Sequence, residues 1–218
     1  MSDDVSRGRY PGYDVLDKRN TPSWNDRTRQ VIDARLAVED TPRFFALEEW
    51  RTLRALCDRV APQPAGRPRV PVAALVDRQL AARKTKGFRL ADMPQPWDAW
   101  RRALAALEEV ALRDHGRSFA MLTASDQDAV LQDLQHGKLT AAALDGMPPK
   151  NFWDAHVNHD VIGSYYSHPE AWNEIGWAGP ASPRGYVRLD LDNRDPWEPT
   201  EAKPGREAQT ERANKRVI

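Results

Sequence analysis

Wherever apolar residues recur regularly in this chain they do so at steps of three and four. Leu47, Trp50, Leu53, Leu56, Cys57 and Val60, for example, make one stripe along a helix. Stripes of this kind are stable only when buried against one another, which limits the chain to an all-α core. No segment alternates apolar and polar residues over strand length between hairpin turns. "YVRLDLD", Tyr186 to Asp192, comes closest and is expected to be a short strand or an extended arm.

Six helices are expected. The first spans about Thr21 to Val38, opening on Thr-Pro-Ser and turning Trp24, Thr28, Val31, Ile32 and Leu36 to one face. The second spans about Ala46 to Val60 and must end at "APQPAGRPR", whose three prolines supply no amide donors. A third begins near Pro71 and carries Val72, Leu75, Val76 and Leu80 inward. A fourth, about Pro94 to Asp114, has Trp97, Trp100, Leu104, Leu107 and Ala111 on one face and Gly116 just past its end. The fifth opens on Thr123-Ala-Ser-Asp126, a capping-box-like start with the shorter Asp in place of Glu. The sixth runs from about Pro149 to Tyr166. The reading is a single irregular helical domain: an extended N-terminal arm at 1–20, a helical core at 21–166 and an irregular C-terminal arm at 167–218.

The chain has 218 residues, enough for one domain with extensions, and its 32 basic and 32 acidic residues cancel. That balance argues against a nucleic-acid footprint. The single cysteine, Cys57, lies on the second helix's apolar stripe and reads as a small core residue. "MSDDVSRGRYPGYDVLDKRN" at the N-terminus has no apolar signal region, and no window approaches the about 18 apolar residues of a membrane span. A cytoplasmic location is expected, or a periplasmic one if a partner carries the chain across.

Few residues suggest chemistry. His156 and His159 in "WDAHVNHD" are three apart on an expected helix with Asp160 beside them, a pattern that could offer three ligands to a metal. The Glu of an HExxH zinc motif is missing, so these are weak candidates and no metal is expected. Ser164 follows a glycine but lies in no G-x-S-x-G elbow, and no dinucleotide or P-loop glycine pattern occurs. No catalytic or cofactor-binding residue is expected in the chain itself.

Three of the eight tryptophans, Trp172, Trp177 and Trp197, fall outside the expected helices, two of them in "HPEAWNEIGWAGPASPRGY". Large aromatics in irregular segments imply burial against the helices or against a partner, for which Tyr and Trp are the usual anchors. The expected partner-binding set is Tyr165, Tyr166, His168, Trp172, Trp177, Pro180, Tyr186 and Trp197.

Four blocks in order carry a resemblance: "FFALEEWRTLRALCDRVAPQ", "VPVAALVDRQLA", "LTASDQDAVLQDLQ" and "FWDAHVNHDVIGSYYSHPEAWNEIGWAGPASPRGY". Together they resemble the small subunit of gluconate 2-dehydrogenase, subunit 3 or gamma, over about residues 44 to 186. The resemblance implies a non-catalytic subunit that accompanies a large FAD-containing dehydrogenase of the glucose-methanol-choline type, often with a cytochrome c. FAD is expected in that partner and not in this chain. Such subunits are thought to help the flavoprotein fold and, with a twin-arginine signal, to carry it across the inner membrane; this N-terminus lacks that signal. Related small subunits accompany flavoproteins that oxidise glycosides at the 3-position. A transient chaperone and an independent metalloenzyme are the other readings.

Overall fold

Side-chain caps open three of the α-helices and left-handed glycines close two. The structure, a computed structural model, describes residues 8–83, 87, 89–180 and 198–216. Its helices are α1 (Asp26–Leu36), α2 (Leu47–Val60), α3 (Val72–Ala81), α4 (Pro96–His115), α5 (Ala124–Gln135), α6 (Pro149–Phe152), α7 (Gly163–Tyr166), α8 (Pro169–Ile175) and α9 (Glu207–Asn214). A π-helix, Trp153–Ile162, joins α6 to α7, and short 3-10 turns occupy Val15–Asn20, Phe119–Met121 and Ala142–Leu144. No strand occurs among the described residues, so the all-α expectation holds, and no helix there is long and apolar enough to cross a membrane. "YVRLDLD" lies outside the described residues.

The chain divides into two compact units. One, the helical unit, is Glu39–Gln63 with Pro71–Tyr165; the other, the terminal unit, comprises the described parts of Met1–Val38, Pro64–Val70 and Tyr166–Ile218.

In the helical unit α2 packs on α3, α4 and α5, and its core includes the fully buried Leu53, Leu56, Trp100, Leu104, Leu107 and Leu134. Cys57 is buried here as expected, and loss of solvent pushes its thiol pKa up, away from reactivity. Two carboxylates organise the connections. Asp77, buried on α3, accepts the backbone N–H groups of Arg43 at 2.7 Å, Phe44 at 3.1 Å and Phe45 at 3.0 Å, which shapes the entry to α2. Glu108 on α4 accepts the Thr52 hydroxyl of α2, the Ser118 hydroxyl at 3.0 Å and the Phe119 N–H at 3.3 Å.

The terminal unit has its own core of Tyr13, Val15, Trp24, Ile32, Trp172 and Ala178. Asn173 on α8 accepts the Val15 N–H at 2.7 Å. Asn214 on α9 accepts from Thr200 N at 2.7 Å and donates to the Thr200 and Pro11 carbonyls at 3.0 and 2.9 Å. These bonds hold α8 and α9 to the start of the chain. Among the described residues of the two expected arms, 15–20 is a 3-10 turn, and 169–175 and 207–214 are helices. Composition concealed this, because a core built from a few large aromatics needs few aliphatics.

Three helix readings shift in detail. Asn25, not Thr21, caps α1, its Oδ1 accepting the Thr28 N–H at 2.9 Å, so Trp24 precedes the helix. On α1 Ile32 is buried while Val31 and Leu36 are exposed, and Leu47 at the start of α2 is 56% exposed. At α5 Thr123 caps as expected, but Asp126 is too short to reach back to the cap's N–H and accepts the Thr123 hydroxyl instead, at 2.8 Å.

Asp77→Ala would leave three backbone donors without their acceptor. It is expected to lower unfolding free energy by about 2–4 kcal/mol, read as a lower urea midpoint at unchanged m-value.

Candidate functional site

Two groups of residues from the sequence analysis can be placed. The first is the aromatic segment from Tyr165 to Pro180. Tyr165, buried, ends the helical unit; Tyr166 opens the terminal unit. His168 caps α8, its Nδ1 accepting the Glu170 N–H at 3.3 Å, and Pro169 occupies the first turn, where a missing N–H is harmless. One turn on, Trp172 is 1% exposed and its indole N–H donates to the Tyr166 carbonyl at 2.7 Å. Gly176 ends α8 at φ +68°, and a Cβ there would overlap the Tyr10 ring. Trp177 then stands edge-on to Trp172, ring centroids 4.6 Å apart at 80°. Gly179, at φ +70°, lets the backbone pass Trp172 and Val15, and the Pro180 carbonyl lies 3.5 Å from Nζ of the buried Lys18, which faces the Trp24 ring at 5.6 Å.

This separates the expected partner-binding set. Trp172, Tyr165 and His168 are buried within the chain. Trp177 at 39%, Tyr166 at 43% and Ile175 at 43% exposure do present apolar surface. Ile175 was missed from sequence because its neighbourhood was not read as helical. Tyr186 and Trp197 lie outside the described residues.

The second group lies in the helical unit. In the π-helix, backbone bonds step five residues instead of four; residues four apart stay on one face, as in an ordinary α-helix, while residues three apart are turned further from each other. His156 and Asp160 consequently meet, Nδ1 to Oδ2 at 3.3 Å, and the same Oδ2 accepts the Trp100 indole N–H at 2.9 Å. The Phe152 ring packs on both Trp100 and His156, with centroids 5.1 and 5.5 Å away. His159 is exposed, and among the described residues no three His, Cys, Asp or Glu side chains are placed to hold a metal. Of the three weak candidates, the structure brings His156 and Asp160 together and leaves His159 exposed. The pair borders a cavity of about 690 Å³ whose wall also includes Gln79, Leu80, Met93 and His159.

The family model of gluconate 2-dehydrogenase subunit 3 matches residues 47–179. No curated protein and no solved structure matches the chain.

Burial, with a smaller contribution from Arg35, lowers the His168 pKa from 6.5 to about 4. Between those values the unfolded chain takes up a proton that the folded chain does not, so stability falls as pH drops from 6.5 towards 4. His168→Asn, which can still cap α8 and does not titrate, is expected to flatten this part of the stability–pH curve measured by urea unfolding. Gly176→Ala is expected to cost about 1–3 kcal/mol. Adding Tyr10→Ala should recover part of that loss, since only the overlap and not the backbone strain is relieved; a double-mutant cycle reads the coupling.

Proposed function

Because the chain belongs to the gluconate 2-dehydrogenase subunit 3 family, we propose that it is the non-catalytic small subunit of an FAD-dependent sugar or sugar-acid dehydrogenase. Membership implies a heteromeric complex with a catalytic subunit. Its partner is then a large flavoprotein of the glucose-methanol-choline type, which holds the FAD, performs the oxidation and passes electrons to a cytochrome c or another acceptor. The small subunit supports the folding, stability or flavin loading of that partner and stays bound to it.

Beyond the family itself, one observation carries the reading: the exposed aromatic and aliphatic surface of Tyr166, Ile175 and Trp177. It is mounted on a supported platform, since Trp177 rests on the buried Trp172, whose own ring is hydrogen-bonded and packed. A large side chain held this way loses little rotamer freedom on binding, which is what an interface anchor requires. Val31 and Leu36 on α1 add exposed apolar side chains within the same unit. Surfaces of this kind are costly to keep in water, so permanent association is favoured over cycles of binding and release.

Expressing the flavoprotein with and without this chain is the direct test. The expected result is lower yield, flavin content and turnover when the chain is absent; equal values would sink the proposal. Trp177→Ala with Tyr166→Ala should leave the chain folded but reduce recovery of the complex in size-exclusion chromatography by roughly tenfold or more, as loss of two anchors predicts. Trp172→Ala should instead destabilise the chain itself, by about 3–5 kcal/mol as for other buried large aromatics.

A further inference from the structure

The cavity beside the π-helix is not accounted for by partner binding. Its volume of about 690 Å³ lies in the range of small-molecule sites. Val76, Leu80, Leu90, Met93 and Pro96 give it an apolar wall, and His156 and Asp160 stand on its border at 8% and 6% exposure. A buried carboxylate and imidazole are expensive to desolvate and stay only if their polar atoms are matched. Asp160 Oδ2 is matched by the Trp100 indole and by His156 Nδ1.

The imidazole is matched on one side only. Asp160 is an acceptor, so Nδ1 carries the proton shared with it, and in the neutral ring Nε2 is left as an acceptor. No described residue hydrogen-bonds to Nε2. Two contacts fix the ring's direction, the Asp160 carboxylate and the Phe152 ring. Three other polar groups of the wall are engaged with the protein: the Gln79 amide donates to the Ser164 hydroxyl at 3.0 Å, the Asp154 carboxylate takes Lys150 at 2.5 Å, and the Arg89 guanidinium donates to the Met93 carbonyl. What is left is a largely apolar chamber that also carries the Gln95 amide and the exposed His159 ring, with Nε2 of the buried His156 as its oriented acceptor.

We propose that this cavity binds a small molecule with an apolar body and a hydroxyl group, whose hydrogen is accepted by His156 Nε2. Asp160 and Trp100 act as positioning residues: they hold the ring and its tautomer and do not touch the ligand. The site is independent of the surface formed by Tyr166, Ile175 and Trp177, and its occupation does not require the catalytic subunit.

Two probes share the naphthalene body and its ring-bound oxygen but differ in the donor hydrogen, which a methyl replaces in the second: 2-naphthol and 2-methoxynaphthalene, each titrated calorimetrically into the full-length chain. The expected result is that 2-naphthol binds at least roughly tenfold more tightly, the effect of one matched hydrogen bond in a desolvated site. His156→Leu should bring the two probes to within about twofold of each other by removing that bond. If that variant fails to fold, the wild-type chain still decides the matter, through the imidazole ¹⁵N resonances: 2-naphthol should shift His156 Nε2 and 2-methoxynaphthalene should not. Equal binding of the two probes, no binding of either, a preference that survives His156→Leu in folded protein, or an Nε2 resonance unmoved by 2-naphthol would each overturn the proposal.

Discussion

The buried Asp160 carboxylate ties two helices of the helical unit together. An isolated ion at 6% exposure would be strongly destabilising, and this one is tolerated because α4 sends it the Trp100 indole N–H and its own helix turns His156 onto it. Both donors must approach the same oxygen, which ties the rotation of α4 to that of the π-helix. The same helix borders the cavity, and Phe152 just before it packs on both Trp100 and His156. Asp77 and Glu108 show the same logic elsewhere in the unit, each collecting donors from segments distant in sequence. The core supplies the bulk of the driving force, whereas these carboxylates select which helix faces meet.

The terminal unit solves a different problem. Its described residues come from both ends of the chain and one short internal segment, with few aliphatics among them. It compensates with large rings, Trp24 and Trp172 above all, and with Asn173 and Asn214 bonding to backbone groups that have no helical partner. The ring that looked most like a partner anchor, Trp172, serves the interior, and by doing so fixes Trp177 at the surface. A buried core ring and an exposed apolar ring are thus supplied by nearby residues of a single segment.

Much of this was legible in the chain itself. The stripes at three- and four-residue steps located α2, α3, α4 and α5, because the positions that must be buried in a helix are set by its geometry alone. The stop at Gly116 and the Thr123 cap were readable for the same local reason, and the ordered blocks that resemble the subunit 3 family agree with the match over residues 47–179. Local rules erred where two local options competed, as with Thr21 and Asn25 at the start of α1. They also erred where Pro, Gly and His168 disguised a two-turn helix as an irregular stretch.

The sequence by itself determined the helical class, the family and the small set of aromatic and titratable residues from which any site must be drawn. Only the tertiary structure decided how that set is divided: Trp172 inside and Trp177 outside, His156 joined to Asp160 and His159 turned to solvent. The physical reason is that periodicity specifies a direction relative to one helix axis, whereas burial and pairing depend on what another segment brings to that direction. Trp100 is 60 residues from the carboxylate it binds and Val15 is 158 from the Asn173 side chain it meets, and no spacing rule reaches across such distances.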